Sequence, residues 1–208
     1  MSLKILAVAD LHGAQFRVNI VLKNIEKYTP DLLVICGDIT QFGPGEVAKS
    51  FLNQIPVDVL AVPGNIDSGD VGEAISASNI DLRRMVKKGV PFIGVGGTPL
   101  YPGADILITV DGGQKPIEEV LNNKSVLVTH VPPYKLQDRV FIGHHAGSKA
   151  LRALVDACQP RLVLCGHIHE DPGVTKTGGT TVVNCSIGKR TEGALVEIGD
   201  SVTVTMLE

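Results

Sequence analysis

A chain of 208 residues that is 44% hydrophobic and 20% charged, with a net charge of -3, is long and apolar enough to bury one ordinary globular core. Those values exclude a disordered chain, and 19 Lys plus Arg against 22 Asp plus Glu leave no basic excess for a broad nucleic-acid surface. Five Phe, three Tyr and no Trp provide few platforms for stacking single strands, so long nucleic acid is disfavoured as a partner.

Lys4 to Ala9 is a short apolar run. No leader-like segment precedes it and no run approaches membrane-spanning length, so a cytoplasmic protein with no membrane partner is expected. Val18, Val21, Leu22 and Ile25 follow at i, i+3, i+4 and i+7, the stripe of an amphipathic helix, and Pro30 closes it. Leu32 to Cys36 is a second apolar run, Val47 to Leu52 a short helix, and Val57 to Val62 a third run. Continuous apolar strands alternating with helices indicate a parallel sheet in an α/β fold. Lys87-Lys88-Gly89 then divides two strand-like stretches between Met85 and Gly97 and predicts a hairpin. Gly94-Val95-Gly96-Gly97 lacks the strand–helix setting of a phosphate-cradling loop and reads as a tight turn.

The alternation resumes with a helix at Ile117 to Leu121 and a strand at Val126 to Thr129. Ser148 is placed to cap a helix whose Leu151, Leu154, Val155 and Cys158 share one face. Leu162 to Cys165 is the next strand. Beyond Gly173, strands at Thr180 to Asn184, Ala194 to Ile198 and Val202 to Met206 alternate with glycines and read as an antiparallel tail. No linker or repeat divides the chain, so residues 1–208 read as a single domain. None of the four cysteines forms a C-x-x-C pair, and all read as reduced thiols.

Five apolar runs end in polar residues of one kind. They are Asp10-Leu11-His12, Gly37-Asp38, Gly64-Asn65, His130, and Gly166-His167-Ile168-His169. Ligands of open α/β sheets bind beyond the carboxyl ends of the strands, where these residues would converge. Two carboxylates, one amide oxygen and four imidazoles exceed what one metal ion uses, and they suit two ions sharing a bridging carboxylate. The glycines before Asp38, Asn65 and His167 would let the backbone approach such ions closely. Each motif alone is weak; their order and shared position carry the reading.

This ordered set, D-x-H, G-D, G-N, H and G-H-x-H from Asp10 to His169, resembles the calcineurin-like metallophosphoesterase superfamily, and the short chain is similar to its compact prokaryotic phosphodiesterases. The resemblance implies a four-layer αββα sandwich. It implies that Asp10, His12, Asp38 and His169 hold one metal, that Asp38 bridges, and that Asn65, His130 and His167 complete the second. The implied cofactors are two divalent ions, manganese before iron, zinc, nickel or cobalt. The implied reaction is in-line attack on phosphorus by a metal-activated hydroxide, on a small phosphoester substrate and most readily a phosphodiester. Compact relatives are often homodimers, which extends to this chain as an expectation.

One departure matters. The family often reads G-N-H-D, with the His thought to protonate the leaving group, whereas this chain reads Gly64-Asn65-Ile66-Asp67. Losing a general acid costs about 100- to 10,000-fold where the leaving group needs one. Asp67, the usual partner of that His, is kept as a candidate catalytic residue with Asp38 and Asn65. His145 lies in the loop after His130 and is a candidate replacement acid, beside the alternative of a solvated loop histidine. Ile66 also leaves room for a second reading, a catalytically weak or inactive binding protein that has kept the fold. A retromer subunit of the same superfamily serves as such a scaffold and also lacks the histidine.

Overall fold

The computed structural model describes residues 2–97 and 105–208. The first half-domain runs β1 (Leu3–Val8), α1 (Gln15–Tyr28), β2 (Leu32–Cys36), α2 (Gly45–Leu52) and β3 (Asp58–Val62), then the single turn α3 (Val71–Ala74). The chain continues through β4 (Arg84–Lys87), β5 (Val90–Val95), β6 (Leu107–Val110), β7 (Gly113–Pro116), α4 (Ile117–Val120) and β8 (Val126–Thr129). It ends with α5 (Lys149–Cys158), β9 (Leu162–Cys165), β10 (Gly173–Thr177), β11 (Thr180–Asn184), β12 (Gly193–Ile198) and β13 (Val202–Leu207).

Two sheets face each other. One has the order β13-β12-β1-β2-β3 and the other β10-β11-β9-β8-β5-β4. Strand alternation decides which residues meet between them. From β1 and β2, Ile5, Ala7, Leu32, Val34 and Cys36 point into the layer shared with Phe92, Val126, Val128, Leu162 and Leu164 of the second sheet. The intervening Leu6, Val8, Leu33 and Ile35 point the other way, onto Val18, Val21 and Ile25 of α1 and Phe51 of α2. On the far face of the second sheet, Ile93, Leu127 and Val163 pack against Ile117 of α4 and Leu151, Leu154 and Val155 of α5. Helix, sheet, sheet, helix is the four-layer αββα sandwich that the sequence predicts.

The helices form for local reasons. Val18, Val21 and Ile25 are buried on one stripe of α1, each such side chain contributing roughly 1.5–3 kcal/mol by leaving water. Thr29 ends that helix in the left-handed conformation, φ 45°, and Pro30 cannot continue it. Ser148 caps α5 as predicted, its hydroxyl accepting from the amide of Leu151 at 3.2 Å. The predicted hairpin is β4–β5, closed by the two residues Lys88 and Gly89 with Lys87 opposite Val90. The predicted tight turn follows β5, with the Gly97 amide donating to the Pro63 carbonyl at 2.7 Å and the Gly96 amide to Asp81 at 2.7 Å.

The tail differs from expectation in one strand. β12 and β13 are antiparallel within the first sheet, but β11 lies parallel to β9 and antiparallel only to β10. The chain leaves β9, runs back along β10 and turns again, so β11 regains the direction of β9. Apolar alternation reveals a strand and not its partner. The β6–β7 hairpin was not readable either, because all four residues of β7 are exposed and carry no alternation. All four cysteines are free thiols. Burial pushes the Cys36 and Cys165 thiols well up, so they stay protonated.

Candidate metal centre

The strand order delivers the site. β1, β2 and β3 are parallel neighbours in one sheet, and β5, β8 and β9 are parallel neighbours in the other. The carboxyl ends of β1 and β2 therefore open side by side, and backbone bonds lock their loops together. The Asp10 amide donates to the Gly37 carbonyl at 3.0 Å, the His12 amide to Asp38 at 2.9 Å, and the Gly13 amide to Ile39 at 3.0 Å.

This locking forces unusual backbone. Asp10, His12, Asp38 and His167 all have positive φ, at 63°, 51°, 52° and 69°. For residues with a Cβ that conformation costs about 1–2 kcal/mol each, and such strain persists only where surrounding structure imposes it. The glycines are as constrained. Gly37 has φ 85°, and a Cβ there would stand 2.4 Å from Nδ1 of His130. A Cβ on Gly64 would stand 2.0 Å from the carboxylate of Asp38. The main chain passes so close to the polar groups that no side chain fits between them.

The polar side chains gather into two groups. The candidate ligand atoms of Asp10, His12 and His169 lie within 4.8 Å of one another, as do those of Asp38, His130 and His167. In the first group, Nε2 of His12 and Nε2 of His169 are 3.2 Å apart, and His169 is 3.4 Å from Oδ1 of Asp10. In the second, Nε2 of His130 is 3.4 Å from Oδ1 of Asp38, 3.2 Å from Nδ1 of His167 and 2.8 Å from Oδ1 of Asn65. The groups are joined through Asp10, whose Oδ2 accepts from the His167 amide at 3.1 Å.

The donor set has the chemistry of a cation site. Nδ1 of His130 faces the carbonyl of Cys36 at 2.9 Å, and a carbonyl only accepts, so the ring proton sits on Nδ1. Nε2 then directs a lone pair at a carboxylate oxygen, an amide oxygen and another imidazole nitrogen. A cation is what such convergence lacks. A backbone carbonyl fixing the tautomer of an inward-facing imidazole is also the usual support of a metal-ligating histidine.

The charges answer one another. Burial pushes the carboxyl of Asp10 up, but His169 and His130 outweigh it and hold it below the ordinary range. Burial opposes charge on His130, and Asp38 and Asp10 overcome it, raising that imidazole. Asp10 likewise raises His169. Burial holds His12 and His167 down, the second helped by its neighbour His130.

Two residues expected in the catalytic set face elsewhere. Both oxygens of Asp67 are engaged: Oδ2 accepts from the amides of Gly64 at 2.8 Å and Ile39 at 3.1 Å, and Oδ1 from the amide and hydroxyl of Thr40 at 2.7 and 2.8 Å. These bonds make Asp67 a clamp between the loops after β2 and β3. His145 is paired through Nδ1 to the fully buried carboxylate of Asp138 and stands edge-on to Tyr134, with ring centroids 5.6 Å apart. His144 is exposed.

Sequence reasoning missed Arg17, whose guanidinium donates to the main-chain carbonyl of Asp10. The available signal was its place in the first turn of α1, just after the Asp10-Leu11-His12 loop. It also missed Asp138, which no motif marks.

The calcineurin-like phosphoesterase family model matches residues 3–171, and the chain belongs to that family. An uncharacterized protein of Methanocaldococcus jannaschii is 34% identical over 196 residues, covering 88% of each chain. A UPF0046 protein of Caenorhabditis elegans is 28% identical over 209 residues, covering 88% of this chain and 69% of the relative. Among solved structures, a Thermus thermophilus protein superposes with TM-score 0.71 at 16% identity over the whole of both chains. A dimetal phosphatase from Danio rerio superposes with TM-score 0.64 at 13% identity over 99% of both. At these identities the superpositions establish a shared fold. Among the described residues, no helix is long and apolar enough to cross a membrane.

Proposed function

We propose that the protein is a metal-dependent phosphoesterase that acts on small phosphodiesters. The observation that carries this reading is the convergence of acceptor atoms on Nε2 of His130, with its proton fixed on the opposite nitrogen by Cys36. Asp10, His12 and His169 would hold one divalent ion and Asn65, His130 and His167 the other, with Asp38 shared. Manganese comes first among the candidate ions. When bound, two such ions supply Lewis-acid charge for the phosphoryl oxygens and lower the pKa of an attacking water.

The chain's own residues do the rest. Asp38 is oriented by the Ile66 amide, and His130 by the Cys36 carbonyl. His167 is placed by its amide on Asp10. Asp67 sets the distance between the Asp38 and Asn65 loops. No side-chain acid stands at Ile66, so a weakly basic leaving group, such as an aryl alkoxide, is the natural match. Phosphodiesters over monoesters follows from the likeness to compact phosphodiesterases.

The same Ile66 supports a second reading, a binding protein that keeps the metals and has lost the chemistry. One preparation separates them. Two metals per chain, with an aryl phosphodiester hydrolysed faster than the aryl monoester, fits the enzyme. Full metal occupancy with no hydrolysis of either ester fits the binding protein.

A further inference from the structure

The groove beside the metal centre carries chemistry that a simple diester does not use. It encloses roughly 750 Å³, with His169 on its floor side, the Val140–Gly143 segment on one wall and the Gly188–Thr191 loop on another. A volume of this size suits a small-molecule ligand. Four cationic side chains line it: Arg17, Arg139, Lys189 and Arg190. Glu170 and Asp171 also contribute, and Asp171 is already engaged, accepting from the amide of Arg139 at 3.0 Å. Four positive against two negative charges give the lining a balance of +2, in a chain whose net charge is -3.

These cations are not neutralised by partners. Among the described residues none of the four is ion-paired, whereas Lys87, Lys88 and Arg152 are held by Asp58, Asp31 and Asp156. Arg17 is fixed in place, its guanidinium donating to the Asp10 carbonyl and lying 5.7 Å from the Phe16 ring centroid. Its tie to Asp10 makes the groove continuous with the first ligand group. Phe141, 76% exposed, adds an apolar wall that an organic linker could cover.

We propose that this groove binds a second anionic group of the substrate, so that the preferred substrate is a phosphodiester bearing a further phosphate on its non-leaving arm. The proposal rests on the phosphoesterase reading of the adjoining site. Exposed ion pairs are individually weak, so selectivity has to come from several cations acting together. A balance of positive charge also steers anions toward the site, an effect that salt suppresses.

Two diesters with the same p-nitrophenyl leaving group test this, one with a hydroxyethyl arm and one with a phosphoryloxyethyl arm. We expect a KM about tenfold lower for the phosphorylated arm, with similar kcat, and collapse of that difference in the Arg139→Ala/Arg190→Ala double variant. Equal KM values in the unmodified protein, or a preference that survives in the double variant, would overturn the groove assignment and leave the phosphoesterase reading intact. If neither diester is hydrolysed, that reading fails instead, and the groove is judged by calorimetry of tripolyphosphate with EDTA-treated protein. Binding weakened about tenfold by the double variant, and unchanged in a Lys124→Ala control, supports the groove. No binding, or binding indifferent to the double variant, overturns it.

Discussion

The backbone amide of Ile66 donates to Oδ1 of Asp38 at 3.2 Å. The residue that replaces the family's histidine thus still orients the shared carboxylate through its main chain. What is missing is only a side-chain proton. Ile66→His restores an imidazole at this position without disturbing that amide. We expect turnover of an alkyl-leaving-group diester to rise by up to about 100-fold, the lower end of general-acid effects, with little change for an aryl diester. Equal gains on both substrates would mean that the imidazole acts by something other than protonation.

Asp67 clamps two loops through four hydrogen bonds, three of them from backbone amides. Asp67→Ala leaves Gly64, Ile39 and Thr40 without their acceptor. Hydrogen bonds to a charged group contribute about 1.5–3 kcal/mol each, and water replaces part of that at a half-buried site. We expect a loss of about 2–4 kcal/mol in denaturant unfolding, together with weaker metal retention. An unchanged midpoint would remove the clamp from the account.

Gly64→Ala puts a methyl group 2.0 Å from Oδ1 and 2.3 Å from the amide nitrogen of Asp38. The loop after β3 has to retreat, and overpacking of this kind costs about 1–3 kcal/mol. Gly69→Ala, five residues on, meets nothing within 4 Å and serves as the control. Metal stoichiometry should fall in the first variant and stay at the unmodified level in the second. Retention of both metals by Gly64→Ala contradicts the packing argument.

Metal uptake should release protons. His130 is raised against burial by Asp38 and Asp10, and His169 is raised by Asp10, so both keep a proton to higher pH than a free imidazole. A protonated imidazole cannot ligate, and affinity must therefore fall as pH drops through these raised values. The expected slope is about tenfold per pH unit for each proton displaced. Calorimetry in two buffers of different ionisation enthalpy reads the proton count directly. A buffer-independent heat and a flat pH profile would show that neither histidine binds metal.

Much of this was legible in the chain. Strands that run apolar on both faces, such as Leu32–Cys36, announced a layered α/β fold, and the residues following them announced the site. Asp10, Asp38 and the pair His167 and His169 could be placed because a strand end is a fixed point in such a fold. The roles of Asp67 and His145 were not legible. Both sit on loops, where direction depends on which backbone groups are left unpaired nearby, and pattern reveals nothing of that. Arg17 was hidden for the opposite reason, since one arginine in a helix's first turn looks like any solvated cation. The direction of β11 needed the whole sheet order, which is a property of long-range pairing.

The rate of aryl phosphodiester hydrolysis before and after metal reconstitution tests the central claim most directly, with Asp38→Asn measured alongside. The account predicts no turnover in EDTA-treated protein, turnover restored by added manganese, and a loss of about 100-fold or more in Asp38→Asn. Hydrolysis that survives chelation, or a fully metal-loaded protein that leaves the ester intact, would contradict it.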